Sequence, residues 1–184
     1  MKRAFVYFAE GFEEIEALTI VDVLRRAGIE TLMVSVTGNA EVTGAHGIKV
    51  TADELIVDLD HDTADMLILP GGLPGADNLN AHSRLKDELT KFADAGKQLA
   101  AICAAPQVLG GLNILSGRDA VCYPGFEEKL KGANLKYDSA IRSGNIITGR
   151  GPGAALDFSL MIVEELMGRE AANELARGML VQTW

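Results

Sequence analysis

Continuous apolar runs alternate with helical periods along this chain. Ala4–Ala9 is an unbroken apolar run, as expected of a strand buried on both faces. Glu10-Gly11-Phe12-Glu13-Glu14 interrupts it, and Ile15–Ala27 then repeats with helical period. Ile15, Leu18, Val21 (or Ile20) and Leu24 share one face there, while Asp22, Arg25 and Arg26 are polar. Gly28 follows as a helix-stopping glycine, and Thr31–Val36 is the next strand. A β-α-β opening argues for a parallel sheet with a right-handed crossover. The polar, glycine-rich stretch 37–47 predicts a hairpin or excursion with a short strand at Ile48–Thr51. Met66–Leu69 is another buried strand, ending at Pro70-Gly71-Gly72. Ser83 is the predicted N-cap of a helix running to Ala95 and closed by Gly96. Leu99–Ile102 is a strand that runs into Cys103, and Pro106 opens a helix over Pro106–Leu109 and somewhat beyond. Ala120–Tyr123, Ala140–Ser143 and Ile146–Thr148 are predicted strands, the last two joined by Ser143-Gly144-Asn145. Helices follow at Ala154–Met167 and Glu170–Arg177. The pattern predicts one α/β domain over residues 1–184, a flavodoxin-like three-layer sandwich with a mostly parallel central sheet.

Charge and cysteine usage narrow the function classes. A net charge of −9 with no basic patch argues against nucleic acid and anionic membranes as partners. No apolar run is long enough to cross a bilayer. The basic start Met1-Lys2-Arg3 is followed by too short an apolar stretch for a secretion signal, so the expected location is the cytoplasm. The two cysteines, Cys103 and Cys122, and three scattered histidines make no zinc spacing, and no metal is expected.

Candidate chemistry gathers where strands end, because ligands of open α/β sheets collect at their C-terminal edge. Four loops leave such ends: 10–14, 70–78, 103–106 and 149–153. Cys103 sits between a strand and a helix, the placement of a nucleophile elbow. A helix N-terminus aimed at the sulfur lowers the thiol pKa, so a thiolate is expected there. From local sequence alone, Cys103 could equally be a core thiol acting as a small hydrophobe. Gly71 and Gly72 let backbone N–H groups approach a reacting atom, or simply form a turn. Gly149-Arg150-Gly151-Pro152-Gly153 lacks the spacing of a phosphate or dinucleotide loop and reads as pocket wall and helix start, so no cofactor is expected. Glu13, Glu14 and Glu16 exceed what a helix first turn needs, and one of them could turn inward as a protonated carboxyl beside the sulfur.

Four motifs together carry a resemblance. They are Gly11-Phe12-Glu13-Glu14-Ile15-Glu16, Leu69-Pro70-Gly71-Gly72, Ala101-Ile102-Cys103-Ala104-Ala105-Pro106 and Arg150-Gly151-Pro152-Gly153. In this order they resemble the ThiJ/PfpI superfamily, and most closely its branch of the parkinsonism-associated deglycase and bacterial relatives. The resemblance implies a homodimer with Cys103 as nucleophile and Glu16 as the protonated carboxyl. It implies an oxyanion pocket from the N–H groups of Gly72 and Ala104, lined by Pro152. It also implies a cofactor-free glyoxalase or deglycase acting on small reactive carbonyls such as methylglyoxal, or a redox sensor or chaperone working through Cys103. Two departures stand out. Ala104 occupies the place of a peptidase histidine, and Tyr123 occupies a place where relatives often carry a histidine. A tyrosine is a poor base at neutral pH. His46 aligns near a position facing the neighbouring subunit and could supply a substitute across a dimer; a solvent-exposed loop histidine is the simpler reading. His61 and His82 are read as ordinary surface histidines.

Overall fold

The computed structural model describes residues 1–182. The chain opens with β1 (Arg3–Phe8), α1 (Glu14–Arg26) and β2 (Glu30–Ser35), followed by the hairpin β3 (Glu41–Thr43) and β4 (Lys49–Thr51). Then come β5 (Glu54–Leu55), β6 (Met66–Leu69), α2 (Gly75–Ala81), α3 (Ser83–Asp94) and β7 (Gln98–Ile102). The second half holds α4 (Pro106–Gly111), β8 (Asp119–Ala120), β9 (Asn134–Leu135), β10 (Ala140–Ser143), β11 (Ile146–Gly149), α5 (Ala155–Met167) and α6 (Arg169–Gly178).

Seven strands form the central sheet in the order β10-β11-β7-β6-β1-β2-β5. Only β10 runs antiparallel, through its hairpin with β11. The inner strands are apolar because both faces are covered: Ala4–Phe8, Met66–Leu69 and Leu99–Ile102 are essentially buried throughout. The chain steps one way along the sheet from β1 to β2 and the other way from β6 to β7 and β11. Right-handed crossovers therefore put α1 and α2–α4 on opposite faces. Helix α5 returns to pack against α1, and α6 packs on α5. The reversal of direction falls between β1 and β6, and the C-terminal ends of β1, β6 and β7 open at that switch point.

Several local expectations are corrected. The N-cap of α3 is His82, whose Nδ1 accepts the Leu85 N–H at 3.2 Å, and Ser83 is already helical. The strand expected over Ala120–Tyr123 stops at Ala120 and pairs with β9 in a separate two-stranded sheet. Beyond it, the Val121 N–H donates to Thr148 Oγ1 and the Tyr123 N–H to the Cys103 carbonyl, which fixes this segment against the elbow instead of in a ladder. Helix α2 forms where the sequence predicts a loop, because Gly75, Asp77, Asn78 and Asn80 are weak helix formers without an apolar period. Helix α4 is only six residues long. It ends at Gly110-Gly111, where a Cβ on Gly110 would come within 2.3 Å of the Lys129 carbonyl oxygen.

Candidate active site

The residue after β7 takes a backbone conformation that β7 itself cannot continue. Cys103 has φ of 65°, the left-handed region that L side chains avoid. Such a residue costs roughly 1–3 kcal/mol and persists only where its surroundings hold it. Here its N–H donates to the Gly149 carbonyl at 2.9 Å and its carbonyl accepts from Tyr123 N–H at 2.8 Å. The turn aims the side chain out of the sheet into a cavity of about 390 Å³. Glu13, Ala45, His46, Gly72, Leu73, Ala104, Tyr123, Phe126 and Pro152 form the rest of its wall.

The glycines after β6 are there because other atoms are already in place. A Cβ on Gly71 would meet the Cys103 Cβ at 2.6 Å and Glu16 Oε2 at 2.7 Å. Gly72 has φ of 89°, and its Cβ would sit 2.3 Å from the Glu13 backbone nitrogen. Their N–H groups divide the work. Gly71 N–H donates to Glu16 Oε2 at 2.7 Å, whereas Gly72 and Ala104 line the cavity beside Cys103 and their N–H groups pull the thiol pKa down. Gly71 thus holds the acid and Gly72 faces the sulfur.

Glu16 is fully buried in the first turn of α1. Burial raises its pKa to about 7, against the opposing pull of hydrogen bonds with Cys103 and Gly71. Its Oε1 has no partner of regular hydrogen-bond geometry. The neighbouring thiol is pushed up to about 12, first by burial and then by the Glu16 charge, while the Gly72 and Ala104 N–H groups pull it down. Against the expected thiolate, burial pulls this thiol up, and the helix that follows it, α4, is short. Of the two, Glu16 is the group that gives up its proton more readily.

The other carboxylates of the acidic run behave differently. Glu14 is also buried, yet its pKa is lowered: burial alone would raise it, but hydrogen bonds from His46 and Ile48 outweigh that. Its Oε1 accepts the His46 N–H at 2.7 Å and its Oε2 pairs with His46 Nδ1 at 2.8 Å. Glu13 Oε2 lies 3.8 Å from the same nitrogen. Glu13, Glu14 and His46 bring their ligand atoms within 4.8 Å of one another, the group among the described residues able to hold a metal ion. Both Glu14 oxygens are already engaged by the His46 loop. His46 stands on the wall of its own chain's cavity, so no partner subunit is needed to bring it there. Nothing in the spacing of Glu14 marks the loop that reaches it.

His61 and His82 lie elsewhere. His61 is buried and stacks on Tyr7 with ring centres 6.2 Å apart, and His82 caps α3. Cys122 is a buried free thiol raised to about 11, chiefly by burial. A second cavity of about 330 Å³ adjoins the first; Tyr123 and Pro152 line both, and Tyr137, Ser139 and Arg150 complete it. No helix among the described residues is long and apolar enough to cross a membrane.

Comparison with known proteins points to one family. Residues 2–165 match the DJ-1/PfpI family. Protein DJ-1 homolog B of Arabidopsis thaliana is 38% identical over 98% of this chain, which spans only 42% of that plant protein. Glutathione-independent glyoxalase DJR-1.2 of Caenorhabditis elegans is 34% identical, covering 91% of this chain and 90% of the relative. The solved structure of oxidised Toxoplasma gondii DJ-1 superposes with a TM-score of 0.95 at 35% identity, over the whole of both chains.

Proposed function

The chain belongs to the DJ-1/PfpI family, and from that premise we propose that it is a cysteine-dependent, cofactor-free glyoxalase of small dicarbonyls such as methylglyoxal. The observation that carries the reading is Cys103 on its left-handed turn, with the Gly72 and Ala104 N–H groups at its sulfur and a carboxyl of pKa about 7 against it. One relative is named a glutathione-independent glyoxalase, and here a protein thiol stands where free glutathione would act.

The chemistry follows from the pair. Cys103 Sγ attacks the aldehyde carbon while its proton passes to the Glu16 carboxylate, so charge moves from Glu16 to the substrate oxygen. The Gly72 and Ala104 N–H groups face that oxyanion and stabilise it. Glu16, now protonated, gives its proton to the oxygen, leaving a neutral hemithioacetal. A proton then moves from the thiol-bearing carbon to its neighbour, converting aldehyde and ketone into a 2-hydroxy thioester. Water hydrolyses the thioester, releasing lactate and restoring the thiol. The sum is methylglyoxal plus water to lactate, with no external oxidant or reductant. Deglycase activity would begin with the same attack on a carbonyl adduct of a protein side chain.

A sensor that works through oxidation of Cys103 is the second reading, supported by the oxidised form in which the T. gondii relative was solved. Against it, the thiolate is the oxidisable form, and burial beside Glu16 pulls the pKa of this thiol up. We take the protein to act as a homodimer; the exposed side chains of Ile15, next to Glu14 in sequence, and Ile48, whose N–H reaches Glu14, suit a covered face.

The test is NMR of methylglyoxal with the wild type, Cys103→Ser and Glu16→Gln. The reading requires lactate from the wild type, essentially none from Cys103→Ser and slow formation by Glu16→Gln. Equal rates from all three would sink it.

A further inference from the structure

We propose that Glu14 and His46 form an acid–base dyad facing Cys103, in which the imidazole carries the proton between adjacent carbons of the substrate. The proposal rests on the glyoxalase reading and supplies the residue which that reading leaves open. Glu16 is committed to the sulfur side, fixed by Gly71, and Tyr123 is a phenol with little basicity near neutrality. The carbon-to-carbon step needs a group near pKa 7 on the opposite wall.

Three observations place His46 in that role. First, its orientation is imposed. A buried carboxylate can only accept, so Glu14 Oε2 at 2.8 Å from Nδ1 selects the tautomer with the proton on Nδ1. Nε2 is then the free base, as in a carboxylate–histidine pair of a hydrolase. Second, the loop bearing it is built around Glu14. Gly11 N–H donates to the Thr43 carbonyl at 2.8 Å and Ala45 N–H to the Phe12 carbonyl at 2.8 Å, pinning the loop to the start of α1. Gly44 has no room for a side chain, since a Cβ there would lie 2.3 Å from Glu14 Oε1. Third, the ring remains largely exposed while sharing one cavity with Cys103, Gly72 and Ala104. A contact needed only to tie down the loop is already made by the His46 backbone N–H.

The proton account closes. Neutral Nε2 takes the proton from the carbon bonded to sulfur, leaving an enediol-type intermediate. The imidazolium sits beside the Glu14 and Glu13 carboxylates. It returns the same proton to the neighbouring carbon and is neutral again before hydrolysis.

The experiment measures lactate formation by the purified full chain and by His46→Gly, His46→Gln and Glu14→Gln, with melting curves for each. Loss of His46 should lower kcat by about 10²–10⁴-fold with KM changed far less. Glu14→Gln, which keeps the loop bonds but weakens tautomer control, should cost roughly tenfold to a hundredfold. Added imidazole should restore kcat of His46→Gly in proportion to its concentration, a response no structural role predicts. Lactate from the wild type with His46→Gln at wild-type kcat overturns the dyad alone. So does a loss that imidazole fails to recover. No lactate from the wild type removes the parent reading and the dyad with it, whereas lactate lost only in Cys103→Ser keeps the parent and rejects the dyad.

Discussion

Glu14 and Glu16 sit two residues apart at the start of α1, both buried, and their pKa values move in opposite directions. The surroundings of Glu14 are a loop that wraps it with N–H donors from His46 and Ile48. The surroundings of Glu16 offer one backbone N–H and a thiol. Both are shielded from solvent, but Glu16 lies deeper, and desolvation is the largest cause of its upward shift. Depth of burial and the number of donors aimed at each carboxylate together set the direction of its shift. One helix turn thereby supplies a fixed anion to one wall of the cavity and a carboxyl able to exchange a proton to the other.

The largest expected effect tests whether the Glu16 wall is the reactive one. Cys103→Ser should lower methylglyoxal turnover by about 10³-fold or more, since the alkoxide is far harder to form than the thiolate. Stability then separates the two carboxylates by sign. Glu16 has its folded pKa raised from 4.5 to about 7, so its favourable contribution is present below the ordinary value and is lost as pH rises through about 7. The span corresponds to roughly 3 kcal/mol. Glu16→Gln should therefore gain on the wild type between pH 5 and pH 8 in denaturant melts. Glu14 has its folded pKa lowered, so its contribution is present above the ordinary carboxylate value and is lost on acidification. Glu14→Gln should be destabilised at pH 8 and lose that deficit in acid. Matching slopes for the two variants would break the comparison.

A smaller effect lies in Cys103 itself. Removing the Glu16 charge leaves burial as the main upward push, so Glu16→Gln should shift the midpoint of iodoacetamide alkylation below that of the wild-type thiol. An unchanged midpoint would mean that the two groups are not coupled. The smallest expected effect concerns Glu13, Glu14 and His46. If the His46 loop engages Glu14 as a dyad, chelator treatment followed by desalting should leave lactate formation unchanged.

The alternation of Ala4–Ala9, Met66–Leu69 and Leu99–Ile102 with helical periods made the sheet and its direction legible, because strands covered on both faces must be apolar throughout. The position of Cys103 was legible for a local reason, a strand running into Pro106 with no room for a longer turn. The upward pull on the thiol was not, because it comes from burial and from a carboxyl 87 positions away in the chain. Neither was the Glu14–His46 pair, whose partners are 32 residues apart and meet only through a glycine at position 44 that can approach the carboxylate. Weak helix formers hid α2 in the same way: tertiary contacts, and not its own residues, make it helical.

The left-handed backbone at Cys103 has a consequence for how this chain can change. Glycine is the residue best suited to φ of 65°, so Cys103→Gly should relax the turn, and the resulting protein should be no less stable and yet inert. Stability alone would let the position drift away from cysteine. A screen of random variants selected only for folding should thus accumulate inactive survivors at position 103.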